Sequence, residues 1–214
     1  MESSVGTLGS FPQPSIGELM DLKICLVLSP KVFWVQSYSL QHLYHGLKLN
    51  MNSYYSEASN IKPQKVSQGC LVAVKHCGSW LRGRLEMRRE SRLCIQLIDS
   101  GHRIMKSLEQ ECSPEVQSLD ARFVQLPEGA IQARLVGVWS KGPDWSGGAI
   151  QWFNSSVHDK SLVSEVRGVI EVPGSNTYVL ELELWDTSAE DDRHIGREMV
   201  ERGLACRRPQ NSWL

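Results

Sequence analysis

Two histidines three residues apart, His42 and His45, fall on a helical stretch, where that spacing lets both imidazoles face one metal ion. No third ligand of suitable spacing follows, so they read as surface or packing histidines. Glu190-Asp191-Asp192 sets three carboxylates in a row. A calcium loop alternates its oxygen ligands around a glycine, so this run reads instead as a solvated acidic turn. Six cysteines (Cys25, Cys70, Cys77, Cys94, Cys112, Cys206) form no Cys-x-x-Cys pair and mostly interrupt apolar runs, as at Leu93-Cys94-Ile95. Reduced, buried thiols are expected. The Gly-x-Ser-x-Gly, P-loop and His-Glu-x-x-His signatures do not occur, and the sequon Asn154-Ser155-Ser156 means nothing without secretion. The reading is a protein that is not an enzyme, with no cofactor and no metal. One cationic cluster remains: Arg82, Arg84, Arg88, Arg89 and Arg92, with Arg103 not far along. Arginines gathered on one hairpin suit a single-stranded RNA backbone if stacking aromatics accompany them, and otherwise make a solvated strand edge.

The elements that must hold these residues follow from periodicity. Leu22, Ile24, Leu26 and Leu28 keep strand spacing, Ser29-Pro30-Lys31 turns the chain, and Val32 to Val35 returns it as a hairpin. Leu40, Leu43, Leu47, Met51 and Tyr54 recur at helical steps, with Gly46 tolerated inside. After a linker from Ser59 to Ser67, strands are expected over 70–74, 79–87, 93–98 and 103–108. Pro114 suits the first turn of a helix over about 115–124. Ile131 to Trp139, Val163 to Val172 and Tyr178 to Leu184 read as strands, the last two joined through Pro173-Gly174-Ser175-Asn176. Helices are expected over Gly148–Val157 and Ile195–Leu204. Many short strands with few helices indicate a mainly β chain with helices (α+β), not alternating βαβ units.

Composition narrows the class. With 41% hydrophobic and 22% charged residues among 214, the chain has ordinary globular composition and is long enough to bury a core. Lys plus Arg is 23 against 24 acids, so bulk charge gives no pull toward nucleic acid or anionic membrane. The longest apolar run, Ile24 to Leu28, is far short of a membrane span, and Met1-Glu2-Ser3-Ser4 lacks a signal peptide's basic start. An intracellular protein without membrane insertion is expected.

Residue order adds a resemblance. Gly69-Cys70-Leu71-Val72-Ala73-Val74, Trp80-Leu81-Arg82-Gly83-Arg84 and Leu97-Ile98-Asp99-Ser100-Gly101-His102 resemble the Tudor texts G-x-x-V-A-A, W-Y-R-A-x-V and Y-I-D-Y-G-N. Phe123-Val124-Gln125-Leu126-Pro127-Glu128-Gly129-Ala130-Ile131 resembles F-x-x-L-P-x-x-A-I. Leu184-Trp185-Asp186 and Gly203-Leu204-Ala205 are similar to later landmarks of the extended Tudor domain. Over residues 19–207 the resemblance implies an SH3-like Tudor barrel inserted in an OB-fold barrel of staphylococcal-nuclease type. The implied parts are a tail (1–18), the hairpin and helix of the nuclease-like half (19–58), and the Tudor core (66–110). A connecting helix with the rest of that half (111–207) and a second tail (208–214) complete them.

The resemblance also implies peptide binding, often of methylated arginines in Piwi-class Argonaute tails, in cytoplasmic germ granules (nuage) of the piRNA pathway. A methylated guanidinium keeps its charge and settles over aromatic faces. The cage positions carried over here are His76, Leu81, Leu97, Ser100 and His102, so none of the four aromatic positions holds Phe, Tyr or Trp. Trp80 and Asp99 flank them, as a core residue and a turn brace. The expectation is an adaptor with a degenerate cage that binds a Piwi-class tail or another Tudor-type scaffold, in the groove between the barrels. The acids Glu171, Glu181, Glu183, Asp186 and Glu190 suit an arginine-rich unmethylated tail. Single-stranded RNA binding through the OB-like half and the arginine hairpin is the alternative, and scaffold contact through Tyr38 and Trp213 a third.

Overall fold

The computed structural model describes residues 8–9, 12–60, 65–108, 113–160, 162–173 and 177–207. Cys112, Trp213, Arg208, Pro209 and the turn residues Gly174 to Asn176 lie outside them. The chain divides into two compact units, one of residues 1–12 and 40–130, the other of residues 13–39 and 131–214. In chain order, the first interrupts the second.

The interrupted unit opens with the expected hairpin, β1 (Leu19–Ser29) and β2 (Val32–Ser37). It continues with β8 (Ile131–Leu135), β9 (Leu162–Glu171) and β10 (Tyr178–Asp186), and ends in the two-residue β11 (Arg193–His194), which the sequence reading lacks. β10 pairs with both β8 and β9, and β1 pairs with both β2 and β9. With β2 on β8, this closes a five-strand circuit, mainly β as expected. Alternation explains it: Leu180, Leu182 and Leu184 are fully buried, while Glu181 and Glu183 lie on the other face. Helix α2 (Gly147–Val157) starts at Ser146, whose hydroxyl accepts from the Ala149 N–H, and sets Phe153 edge-on against Phe33 at 5.3 Å. Helix α3 (Ile195–Glu201) buries Ile195 and Met199 in the same core.

The inserted unit is a five-stranded antiparallel sheet in the order β6-β5-β4-β3-β7. Its strands are β3 (Leu71–His76), β4 (Ser79–Arg89), β5 (Arg92–Leu97), β6 (Arg103–Ser107) and β7 (Val116–Ser118). Val72, Val74, Leu85, Leu93, Ile95 and Leu97 form its interior. β4 and β5 pack so closely at Gly83 that a Cβ there would stand 2.4 Å from Ile95 Cγ2. A salt bridge of 2.7 Å from Lys106 on β6 to Glu115, just before β7, ties the two edge strands.

Two expectations change here. The helix over about 115–124 is instead β7 followed by a single 3-10 turn (Ala121–Phe123), begun by Asp120. Pro114 precedes a strand, because Val116 and Ser118 find ladder partners on β3 at Val74 and Val72. Helix α1 (Gln41–Ser56), expected beside the N-terminal hairpin, packs on β4 in the inserted unit. Its buried face runs Tyr44, Met51, Tyr55: Met51 is as expected, Tyr44 and Tyr55 replace Leu43 and Tyr54, and Leu43 is exposed. Met51 and Tyr55 meet Trp80, Ala73 and Phe123 in a second small core.

Candidate functional site

The cage positions ride on two turns of the inserted sheet. Between β3 and β4, Cys77 (φ 46°) and Gly78 (φ 75°) make a two-residue reversal that pairs His76 with Ser79. Between β5 and β6, Gly101 (φ 80°) lets the chain return, with its N–H on Leu97 O at 2.8 Å and Leu97 N–H on His102 O at 2.7 Å. His102 and Ser100 are held to each other, ring Nδ1 to hydroxyl at 3.1 Å. Leu97 is 5% exposed and lies inside the barrel, with Leu81 partly buried against the same interior. Of the five positions, His76, Ser100 and His102 thus border the turns, and the two leucines fill core. Trp80 is core too: 3% exposed, it packs on the Tyr55 ring at 4.9 Å, and its backbone N–H donates to Asn52 Oδ1.

Asp99 braces more than its own turn. Its carboxylate takes Arg82 Nε at 2.9 Å and Nη2 at 2.6 Å, and also the Gly129 N–H at 2.9 Å. Arg82 gives its other donors to the carbonyls of Phe123 (3.0 Å), Leu126 (2.6 Å) and Pro127, so all five N–H groups are used. This corrects the placement of Arg82 among nucleic-acid contacts: it is 1% exposed. The rest of the arginine hairpin is largely engaged as well. Arg84 pairs with Glu128, Arg88 donates to Val66 O at 3.0 Å, and Arg103 grips Glu86 with two bonds. Arg89 and Arg92, paired across the turn, stay exposed and make no ion pair among the described residues. Of the acids proposed for an arginine-rich tail, Glu171 and Glu190 are exposed and make no ion pair among the described residues, and the other three are engaged. Glu181 pairs with Arg134 and Glu183 with Arg167, while Asp186 is buried beside Lys160 and Arg193.

A corner that sequence reasoning missed lies where α1 ends. Tyr54 donates to Asp120 Oδ2 at 2.9 Å, and the Arg122 guanidinium sits 4.1 Å over the Tyr54 ring while its Nε donates to Asp120 Oδ1 at 2.9 Å. Burial alone would raise the Asp120 carboxyl. The Arg122 N–H, the Tyr54 hydroxyl and the Arg122 cation outweigh it and hold the group below the usual carboxylate range. Tyr55 donates to Ser118 O and accepts from the Asp120 N–H, and burial pushes its phenol up to about 12. Neither Tyr54 nor Asp120 carries a local signal, since 66 residues separate them.

The remaining polar expectations place simply. His42 and His45 are exposed on α1, and no cluster of three metal-ligating His, Cys, Asp or Glu side chains exists among the described residues. Glu190, Asp191 and Asp192 form an exposed turn, and Tyr38 is exposed. The described cysteines form no disulfide with one another and are not buried: Cys77 is exposed and Cys25, Cys70, Cys94 and Cys206 half-buried. No helix among the described residues is long and apolar enough to cross a membrane.

The chain belongs to the Tudor domain family, whose profile matches residues 14–137. Tudor and KH domain-containing protein of Mus musculus is 26% identical over 201 residues, covering 91% of this chain but 34% of that relative. The chain thus spans about a third of that relative's length. The extended Tudor domain TD3 of mouse TDRD1, in complex with a MILI peptide containing dimethylarginine, superposes with TM-score 0.82 at 19% identity, over 94% of this chain and 99% of that one. A variant Papi extended Tudor domain of Drosophila melanogaster, in complex with an unmethylated Piwi N-terminal peptide, gives TM-score 0.76 at 22% identity, over 89% and 99%. The fold is that of extended Tudor domains.

Proposed function

We propose that this chain is a non-catalytic adaptor of the extended Tudor type that binds a partner peptide, a Piwi-class tail or another scaffold segment, without depending on arginine methylation. Its setting is the piRNA pathway, in cytoplasmic, perinuclear germ granules. The carrying observation is the filling of the cage positions. Leu97 and Leu81 give their side chains to the barrel interior, and Ser100 and His102 bond to each other. A cage contact adds about 0.5–2 kcal/mol through cation–π attraction, and leucine and serine supply none of it. The mouse TDRD1 neighbour holds a dimethylated MILI peptide and the Papi neighbour an unmethylated Piwi peptide, so both partner forms suit the fold.

The test is calorimetry with a Piwi-class N-terminal tail peptide in unmethylated and symmetrically dimethylated forms. Equal affinity, within about threefold, is the expected outcome. A preference above about tenfold for the methylated peptide would overturn the degenerate-cage reading.

A further inference from the structure

We propose that the Tyr54–Asp120 corner is a guanidinium-binding site, occupied in this structure by the chain's own Arg122, and that it exchanges Arg122 for an arginine side chain of a partner peptide. The proposal rests on the peptide-binding reading above for its ligand and moves recognition to a different place on the unit. Tyr54 closes the last turns of α1, and Asp120 follows β7. Because β7 pairs Ser118 with Val72 at the start of β3, while His76 ends that strand, the two places lie toward opposite ends of β3. Four strand residues make that about 13 Å.

Three observations carry the assignment. The corner combines what a guanidinium needs: an aromatic face at 4.1 Å and an ionised carboxylate at 2.9 Å, with Tyr54 itself fixed by its bond to Asp120. A guanidinium is already seated there, which proves the fit of the chemical group. And that guanidinium is only loosely held. The Arg122 side chain is 58% exposed, and its only side-chain bond among the described residues runs through Nε to Asp120. Its planar Nη groups are free to leave, in contrast to the buried and fully bonded Arg82. Beside the corner, a cleft of about 280 Å³ bounded by Tyr54, Tyr55, Asn60, Gln117 and Asp120 gives an incoming side chain room to approach.

An internal ligand lowers the apparent affinity of an external one by the fraction of time the site is occupied. Removing it should therefore tighten binding. The experiment titrates the full chain and its Arg122→Ala variant with a capped peptide of three Arg-Gly repeats, followed by the ring-proton shifts of Tyr54. The expected result is binding about tenfold tighter in Arg122→Ala. Adding Asp120→Asn should remove that gain, and a Lys-Gly peptide should show less of it, because lysine cannot lie flat on the ring. Arg89→Ala deletes the same charge from an exposed site and should bind as the parent chain does. Unchanged or weaker binding by Arg122→Ala overturns the proposal, as does a gain that survives Asp120→Asn or appears equally in Arg89→Ala. Unchanged thermal midpoints confirm that the variants fold. A Piwi-class tail that binds while Arg122→Ala changes nothing sinks this site alone and leaves the adaptor reading standing.

Discussion

The inserted unit contains two arginine–aspartate pairs of similar bond length and opposite character. Arg82 and Asp99 join β4 to the β5–β6 turn and to the segment 123–129, and the guanidinium has neither exposure nor an unused donor. Arg122 and Asp120 are two residues apart, the cation stands mostly in solvent, and most of its donors are idle. One chemistry thus serves as a framework and the other as a seat. Burial and the count of satisfied donors separate them, not distance, because a charge removed from water is tolerable only when every donor is met.

That contrast can be broken by substitution. Arg82→Ala strands Asp99 and three carbonyls inside the unit, and the expected loss is about 3–5 kcal/mol, read by urea unfolding. A loss below about 1 kcal/mol would show the pair is no framework at all. Gly83→Ala, next in the strand, forces a methyl against Ile95, which is wholly buried and stiff at its β-branch. About 1–3 kcal/mol is expected, and a stable variant would mean β4 and β5 can separate. Tyr55→Phe leaves Ser118 O and the Asp120 N–H short of a partner, costing about 1 kcal/mol without emptying the core. The same residue sets an alkaline limit. Its folded pKa lies above the unfolded one, so its contribution is whole below about pH 10 and is lost as the pH rises through about 12. Unfolding midpoints between about pH 9 and 11 should fall less steeply in Tyr55→Phe than in the parent chain. Burial first, then the Asp99 charge, raises Tyr44 as well, so some slope remains. The smallest effect belongs to Arg122→Gln, which should leave the unfolding midpoint where it is. A clear drop would make Arg122 a strut like Arg82.

How legible this was depends on how local the signal is. Alternation exposed β9 and β10, whose leucines face one core together with Val166, and helical spacing exposed α1 to within one position of its buried face. The motif order disclosed the family. Charge makes Arg82 read as solvent-facing, although it stands two residues from Trp80 on one strand and so shares its buried face. Leu97 carries the same lesson: Leu93, Ile95 and Leu97 alternate inward, so this cage position belongs to the barrel interior before it can belong to a ligand. Pro114 reads as a helix opener because nothing nearby reveals that Val116 will find Val74. The Tyr54–Asp120 seat is a meeting of distant segments, and no window of sequence contains it.

The interruption of one unit by another bears on how the chain is born. β1 finds β9 only after the whole inserted unit has been synthesised. The early hairpin therefore leaves the ribosome with an unpaired edge and an apolar face awaiting closure. Prior folding of residues 40–130 would draw the two halves of the interrupted unit together, shortening the loop that must close and lowering its entropic cost. A chain stalled before β9 is the aggregation-prone species, and destabilising the inserted unit should slow closure of a barrel in which it contributes no strand.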